Sequence, residues 1–102
     1  MLTELQQYLR LAASRGRTTS RVGPFLVTLQ EDTTHPFLNY AIPDDDAEPA
    51  PEEVAALVAA FRERQRVPRL EYLEPTAPAV LVAVRSAGFV LEARLRAMTA
   101  TE

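Results

Sequence analysis

Apolar positions along this chain recur at helical spacing, then alternate, then return to helical spacing. Leu2, Leu5, Leu9 and Ala12 or Ala13 form one stripe, which predicts an amphipathic helix over residues 2–14. Thr3 and Gln6 have the spacing of a capping box at its start. Ser14 to Ser20 reads as a polar loop, with Arg15, Arg17 and Arg21 near it. Over 22–30, VGPFLVTLQ, the period falls to two. Phe25, Val27 and Leu29 share one face of a predicted strand, and Leu26 and Thr28 share the other. Pro24 suits the first residues of an edge strand. EDTTHP follows as a short connection, and FLNYAI, 37–42, reads as a second strand. The two form an antiparallel hairpin with a loop of about five residues.

Helical spacing resumes after an acidic segment. Val54, Leu57, Val58 and Phe61 make the buried stripe of a helix from about Pro51 to Gln65. Proline suits its first position. Glu52 and Glu53 complement the positive end of the helix dipole, and Arg62, Arg64 and Arg66 the negative end. Pro68 ends it. RLEYL, 69–73, reads as a third strand. Thr76 is placed to cap a helix over 77–87 with Val80, Leu81 and Val84 apolar, and Gly88 is a left-handed stop. From Phe89 to about Thr99 alternation returns. Phe89, Leu91, Ala93, Leu95 and Ala97 face one way, and Val90, Glu92, Arg94, Arg96 and Met98 the other. The order α-β-β-α-β-α-β is that of an α/β (α+β) fold. Its mixed sheet has about four strands, with parallel pairs joined by helical crossovers.

Composition narrows the function classes. At 102 residues, 47% hydrophobic and 25% charged, the chain reads as one folded domain, 1–102. Without cysteine there is no disulfide and no thiolate chemistry, and one histidine, His35, excludes a His-rich metal site. All eleven basic residues are arginine, so no lysine can act as a Schiff-base residue or general base. A net charge of −3 argues against nonspecific nucleic-acid binding. The amphipathic N-terminus carries Glu4, unlike a signal peptide, and no apolar run is long enough to span a bilayer. No membrane association and a cytoplasmic location are expected.

The element order, the acidic turn before one helix and Ala87-Gly88-Phe89 after the next together resemble the GNAT superfamily of N-acetyltransferases. FLVTLQ and FLNYAI look like that family's central hairpin. Pro51 to Gln65 looks like the helix after it, and RLEYL like the strand that splays away. APAVLVAVRSAGFVLEARL looks like the late helix and the strand beyond. The resemblance implies a GNAT-like acyl-CoA N-acyltransferase fold. More narrowly, it implies the degenerate N-terminal half of a tandem GNAT protein. Active members place a glycine-rich loop between central strand and helix, where backbone N–H groups hold the coenzyme A pyrophosphate. The corresponding stretch here, IPDDDAEPAPEEV, has six carboxylates, three prolines and no glycine. Asp44, Asp45, Asp46, Glu48, Glu52 and Glu53 repel a diphosphate, and Pro49 and Pro51 lack N–H donors. The expectation is a domain without the coenzyme A pyrophosphate loop and therefore without a cofactor.

The remaining candidates are few. His35, before Pro36 in a loop, has no second residue to make a catalytic dyad and reads as an exposed turn residue. Asp44 to Glu48 lacks the alternation and the glycine of a calcium loop and reads as a solvated acidic loop, so no metal site is expected. Asn39 and Tyr40 alternate on the second strand, and either could line the family's cleft between hairpin and RLEYL. The plainer reading puts Tyr40 in the core and Asn39 against a partner strand. Tyr40 is the weak catalytic candidate, a general acid. The resemblance also implies one further strand beside RLEYL, which the residues up to Glu102 are not expected to supply. That edge, at Leu70 and Tyr72 with Arg94, Arg96 and Glu71 near it, is expected to pair with a second copy or a second GNAT domain.

Three functions follow. The first is a non-catalytic GNAT-like domain with a structural, dimerisation or regulatory role beside an N-acetyltransferase. The second is an active acetyl-CoA-dependent N-acetyltransferase with an atypical cofactor loop. The third is a stand-alone protein-interaction module.

Overall fold

The computed structural model describes residues 2–35 and 38–89, and the backbone of 94–96 and 99–101. The first helix, α1, spans Leu2–Ser14, as its periodicity predicts. Strands β1 (Thr18–Val22), β2 (Phe25–Leu29) and β3 (Tyr40–Pro43) form an antiparallel sheet in the order β1-β2-β3. Helix α2 runs Pro51–Glu63 and α3 runs Pro78–Ser86, with a 3-10 turn at Glu74–Thr76 before α3. Two short strands, β4 (Arg94–Arg96) and β5 (Thr99–Thr101), pair with each other.

The sheet has a helical layer on each side because its strands alternate. Phe25, Val27 and Leu29 point to one face, where Ala41 lies opposite Val27. Val54, Leu57 and Phe61 of α2 and Val80 and Val84 of α3 close over them into one buried cluster. Phe25, Phe61, Leu57, Val54 and Val80 are completely buried there, and burial of this kind stabilises by about 1.5–3 kcal/mol per large side chain. On the other face Leu26 pairs with Ile42 and Thr28 with Tyr40. Helix α1 covers that side, and its Leu9 and Ala13 line a cleft with Tyr40 and Ile42.

The acidic segment reads as a helix start and is one. Pro51 opens α2, with Glu52 and Glu53 in the first turn. Gly88 also does what the sequence predicts. Its φ of 97° lets the Phe89 N–H reach the Val84 carbonyl at 3.1 Å and end α3.

Several expectations are corrected. The polar stretch before Ser20 is not all loop: Thr18–Val22 is a strand, and the proposed single strand over 22–30 is broken by a tight turn at Gly23-Pro24. The connection between β2 and β3 runs from Gln30 to Asn39, longer than EDTTHP alone. RLEYL is not a strand. It makes a single parallel bridge, Leu70 to Ala41, held by the Ala41 N–H on the Arg69 carbonyl at 2.9 Å and the Glu71 N–H on the Ala41 carbonyl at 3.0 Å. The last run holds two short strands, β4 and β5, paired with each other in a sheet separate from β1-β2-β3. Phe89 packs against the main core, and the rest of the alternation expected to about Thr99 concerns side chains outside the described residues.

Two capping expectations also fail. Thr76 sits in the 3-10 turn, its hydroxyl donating to the Leu73 carbonyl at 2.7 Å, and α3 has no side-chain cap. Gln6 is completely buried, and its Oε1 accepts the Leu73 N–H at 2.8 Å. A residue that looked like local capping chemistry instead ties α1 to a segment 67 positions away.

Candidate functional site

The junction between β3 and α2 is closed by its own chain. The Ala50 N–H donates to Glu53 Oε1 at 2.8 Å. Alanine has no side-chain acceptor to return, so only this half of the capping box forms. The N–H groups of Glu53 and Val54 both turn to the Ala50 carbonyl, at 2.9 and 3.1 Å, and Pro51 has none. Of this first turn only the Glu52 N–H is left over. Gly23, with φ 53°, brings the β1–β2 turn against the same carboxylate. A Cβ there would lie 3.1 Å from Glu53 Oε2. The side chain of Glu53 therefore fills the space between hairpin tip and helix start.

The acidic loop is not simply solvated. Arg10 of α1 donates to Asp45 Oδ1 at 2.6 Å and to the Pro43 carbonyl at 3.1 Å. Arg21 of β1 grips both oxygens of Asp44 at 2.9 Å. Asp46, with φ 57°, turns the chain so that its N–H meets the Thr76 carbonyl at 2.6 Å. Ala47 and Pro49 are buried beneath. Among the described residues no group of three His, Asp or Glu side chains is placed to hold a metal ion.

On the opposite side of the sheet a cleft of about 250 Å³ lies between β3 and the segment after Leu70. It exists because those two stretches make one bridge and no further ladder among the described residues. Leu9, Ala12 and Ala13 form its apolar wall. Arg17, Tyr40, Glu71 and Tyr72 supply its polar groups. The Arg17 guanidinium stands 5.0 Å over the Tyr40 ring, and that of Arg69 6.0 Å away. Arg69 also pairs with Glu71 at 2.9 Å. Burial pushes the Tyr72 phenol up to about 12, with the Glu74 carboxylate adding to the rise.

Of the residues singled out by sequence, Tyr40 is half-buried and lines this cleft, rather than packing wholly in the core. Asn39 does not line it. It is completely buried and closes the long loop, accepting from the Gln30 N–H and the Arg66 Nε and donating to the carbonyls of Thr33 and His35. His35 is exposed. Leu70 and Tyr72 are half-buried and lean on the main core. Arg94 and Arg96 lie on β4, with side chains outside the described residues. The sequence reading missed Arg17. Its polar surroundings read as loop, although the β-branched Thr18 and Thr19 and the Gly-Pro turn mark the strand that begins directly after it.

No protein-family model matches this chain, and no curated protein does. The solved structure of a GCN5-related N-acetyltransferase from Kribbella flavida does match, with a TM-score of 0.75 at 19% identity. The match covers 91% of this chain and 38% of that one, so the chain spans well under half of the matched protein. The fold is GNAT-like. Among the described residues no helix is long and apolar enough to cross a membrane.

Proposed function

From the GNAT-like fold as premise, we propose that this chain is a non-catalytic GNAT-like domain. Its role is structural, dimerising or regulatory, in association with an N-acetyltransferase, and it works without acetyl-CoA. The observation that carries the reading is the Glu53 carboxylate seated on the Ala50 N–H at the start of α2. In active relatives that position holds an external anion through free backbone donors. Here an internal anion occupies it, Pro51 removes one donor, and the neighbouring Asp and Glu side chains oppose a second negative group. The match to a minor part of a larger N-acetyltransferase supports a domain that works beside another.

Calorimetric titration with acetyl-CoA at physiological salt tests this, and no binding heat is expected. Saturable binding displaced by free coenzyme A would overturn it. One observation favours the second reading, an active transferase with an atypical loop: Tyr40 faces a cleft where a general acid could act. That reading requires acetyl-CoA turnover that falls sharply in Tyr40→Phe. The partner proposed for the Leu70–Tyr72 edge, with Arg94 and Arg96, is a second copy or a second GNAT domain. Light scattering tests the first, and a strict monomer at high concentration counts against it.

A further inference from the structure

We infer that the cleft between α1 and β3 is a binding site for a small monocarboxylate with an apolar or aromatic body, held through Arg17. The inference stands apart from the cofactor question, because the cleft lies on the sheet face opposite α2.

Four observations carry it. First, the cleft's volume of about 250 Å³ falls just short of the usual range of ligand sites, roughly 300–1,000 Å³, which suits a ligand the size of one ring or a short chain. Second, its wall offers apolar surface from Leu9, Ala12, Ala13 and Ile42, and two tyrosine rings. An apolar body gains from that surface, and a fully polar ligand does not. Third, Arg17 Nη1 is shielded from solvent with no hydrogen-bond acceptor among the described residues. A guanidinium cannot shed its proton, so a shielded N–H without an acceptor is costly, and a carboxylate satisfies it best. Fourth, the charges at the cleft select an anion. Its one acidic side chain, Glu71, is already paired with Arg69, whereas among the described residues Arg17 meets only the face of Tyr40. A carboxylate on the open edge of Arg17 leaves that stacking intact, since a guanidinium binds an aromatic face and an in-plane anion at once.

The Tyr40 ring fixes the position of Arg17. Tyr40 in turn is held by its strand, where the Thr28 hydroxyl donates to the Tyr40 carbonyl at 2.9 Å. The ring that meets the cation therefore belongs to the sheet, and Arg17 itself sits one residue before β1.

The test uses the whole chain with benzoate as probe and benzamide as its uncharged isostere. Saturable binding of benzoate is expected in NMR titrations, with amide shifts confined to Leu9, Ala12, Ala13, Tyr40, Ile42 and Tyr72. Benzamide and Arg17→Gln are each expected to weaken binding about tenfold or more, the usual worth of a charged hydrogen bond. Ala12→Phe changes an exposed helix position that lines the cleft, so it fills the site without unmaking the fold, and it should abolish the shifts. No benzoate binding, equal binding of benzamide, or shifts that persist in Ala12→Phe would each overturn the inference. Acetyl-CoA binding in the calorimeter would leave it untouched.

Discussion

Glu53 reaches back one helical turn, and its carboxylate accepts the Ala50 N–H at 2.8 Å, closing the start of α2 with an anion from within the helix. Replacing it removes the one side-chain bond at this helix start. Glu53→Ala is expected to lower stability by about 1 kcal/mol, as loss of a cap usually does, read as a shift of the urea midpoint at constant slope. The variant should still give no heat with acetyl-CoA, since Pro51 and the other acidic groups remain. Acquired coenzyme binding would mean that Glu53 alone keeps the site shut.

Two arginines hold the acidic loop, and they differ in burial. The side chains of Arg10 and Asp45 are 18% and 29% exposed, against 54% and 45% for Arg21 and Asp44. A double-mutant cycle to alanine should give a coupling near 1 kcal/mol for the first pair and under about 0.5 kcal/mol for the second. Salt at 1 M should erase most of the second and less of the first. Equal couplings would show that burial does not set their strength.

Gln6 joins α1 to the chain before α3. Gln6→Ala leaves the Leu73 N–H buried without an acceptor and opens a cavity, a loss of about 2–4 kcal/mol in urea unfolding. Gln6→Leu restores most of the volume but not the acceptor, and should fall between wild type and alanine. If leucine matches wild type, the hydrogen bond adds nothing.

Tyr72 makes stability fall at high pH. Burial and the nearby Glu74 carboxylate push its phenol up from the ordinary 10.0 to about 12. The folded chain then holds a proton that the unfolded chain releases, so the stabilisation is complete below about 10 and is lost as pH rises towards 12. Ultraviolet titration should find a late phenol signal that disappears in Tyr72→Phe. Urea midpoints should drop less across that window in the variant than in wild type.

Much of this was legible in the sequence, for a local reason. Helices α1, α2 and α3 follow from apolar spacing, and the stop at Gly88 and the start at Pro51 from residues that favour those backbone shapes. Phe25, Val27 and Leu29 were readable as one buried face because alternation is a property of the strand itself. The same rule misled at both ends of the sheet. TTSRV is mostly exposed, so β1 lacks an apolar signal, and its identity comes from pairing with β2. RLEYL has strand-like residues but finds its partner at one position, and a strand needs a ladder.

By itself the sequence determined the helices, the hydrophobic face of the hairpin and a helix start built from proline and glutamates. Each depends on residues within a few positions of one another. Only the tertiary structure decided what faces that helix start and what faces the cleft. Arg10 and Arg21 reach Asp45 and Asp44 from 35 and 23 positions away, Gln6 reaches Leu73 from 67, and Arg17 comes to rest over Tyr40. No spacing rule encodes such meetings. They arise when α1 and α2 settle on opposite faces of one sheet, and burial of the apolar stripes is what sets that arrangement.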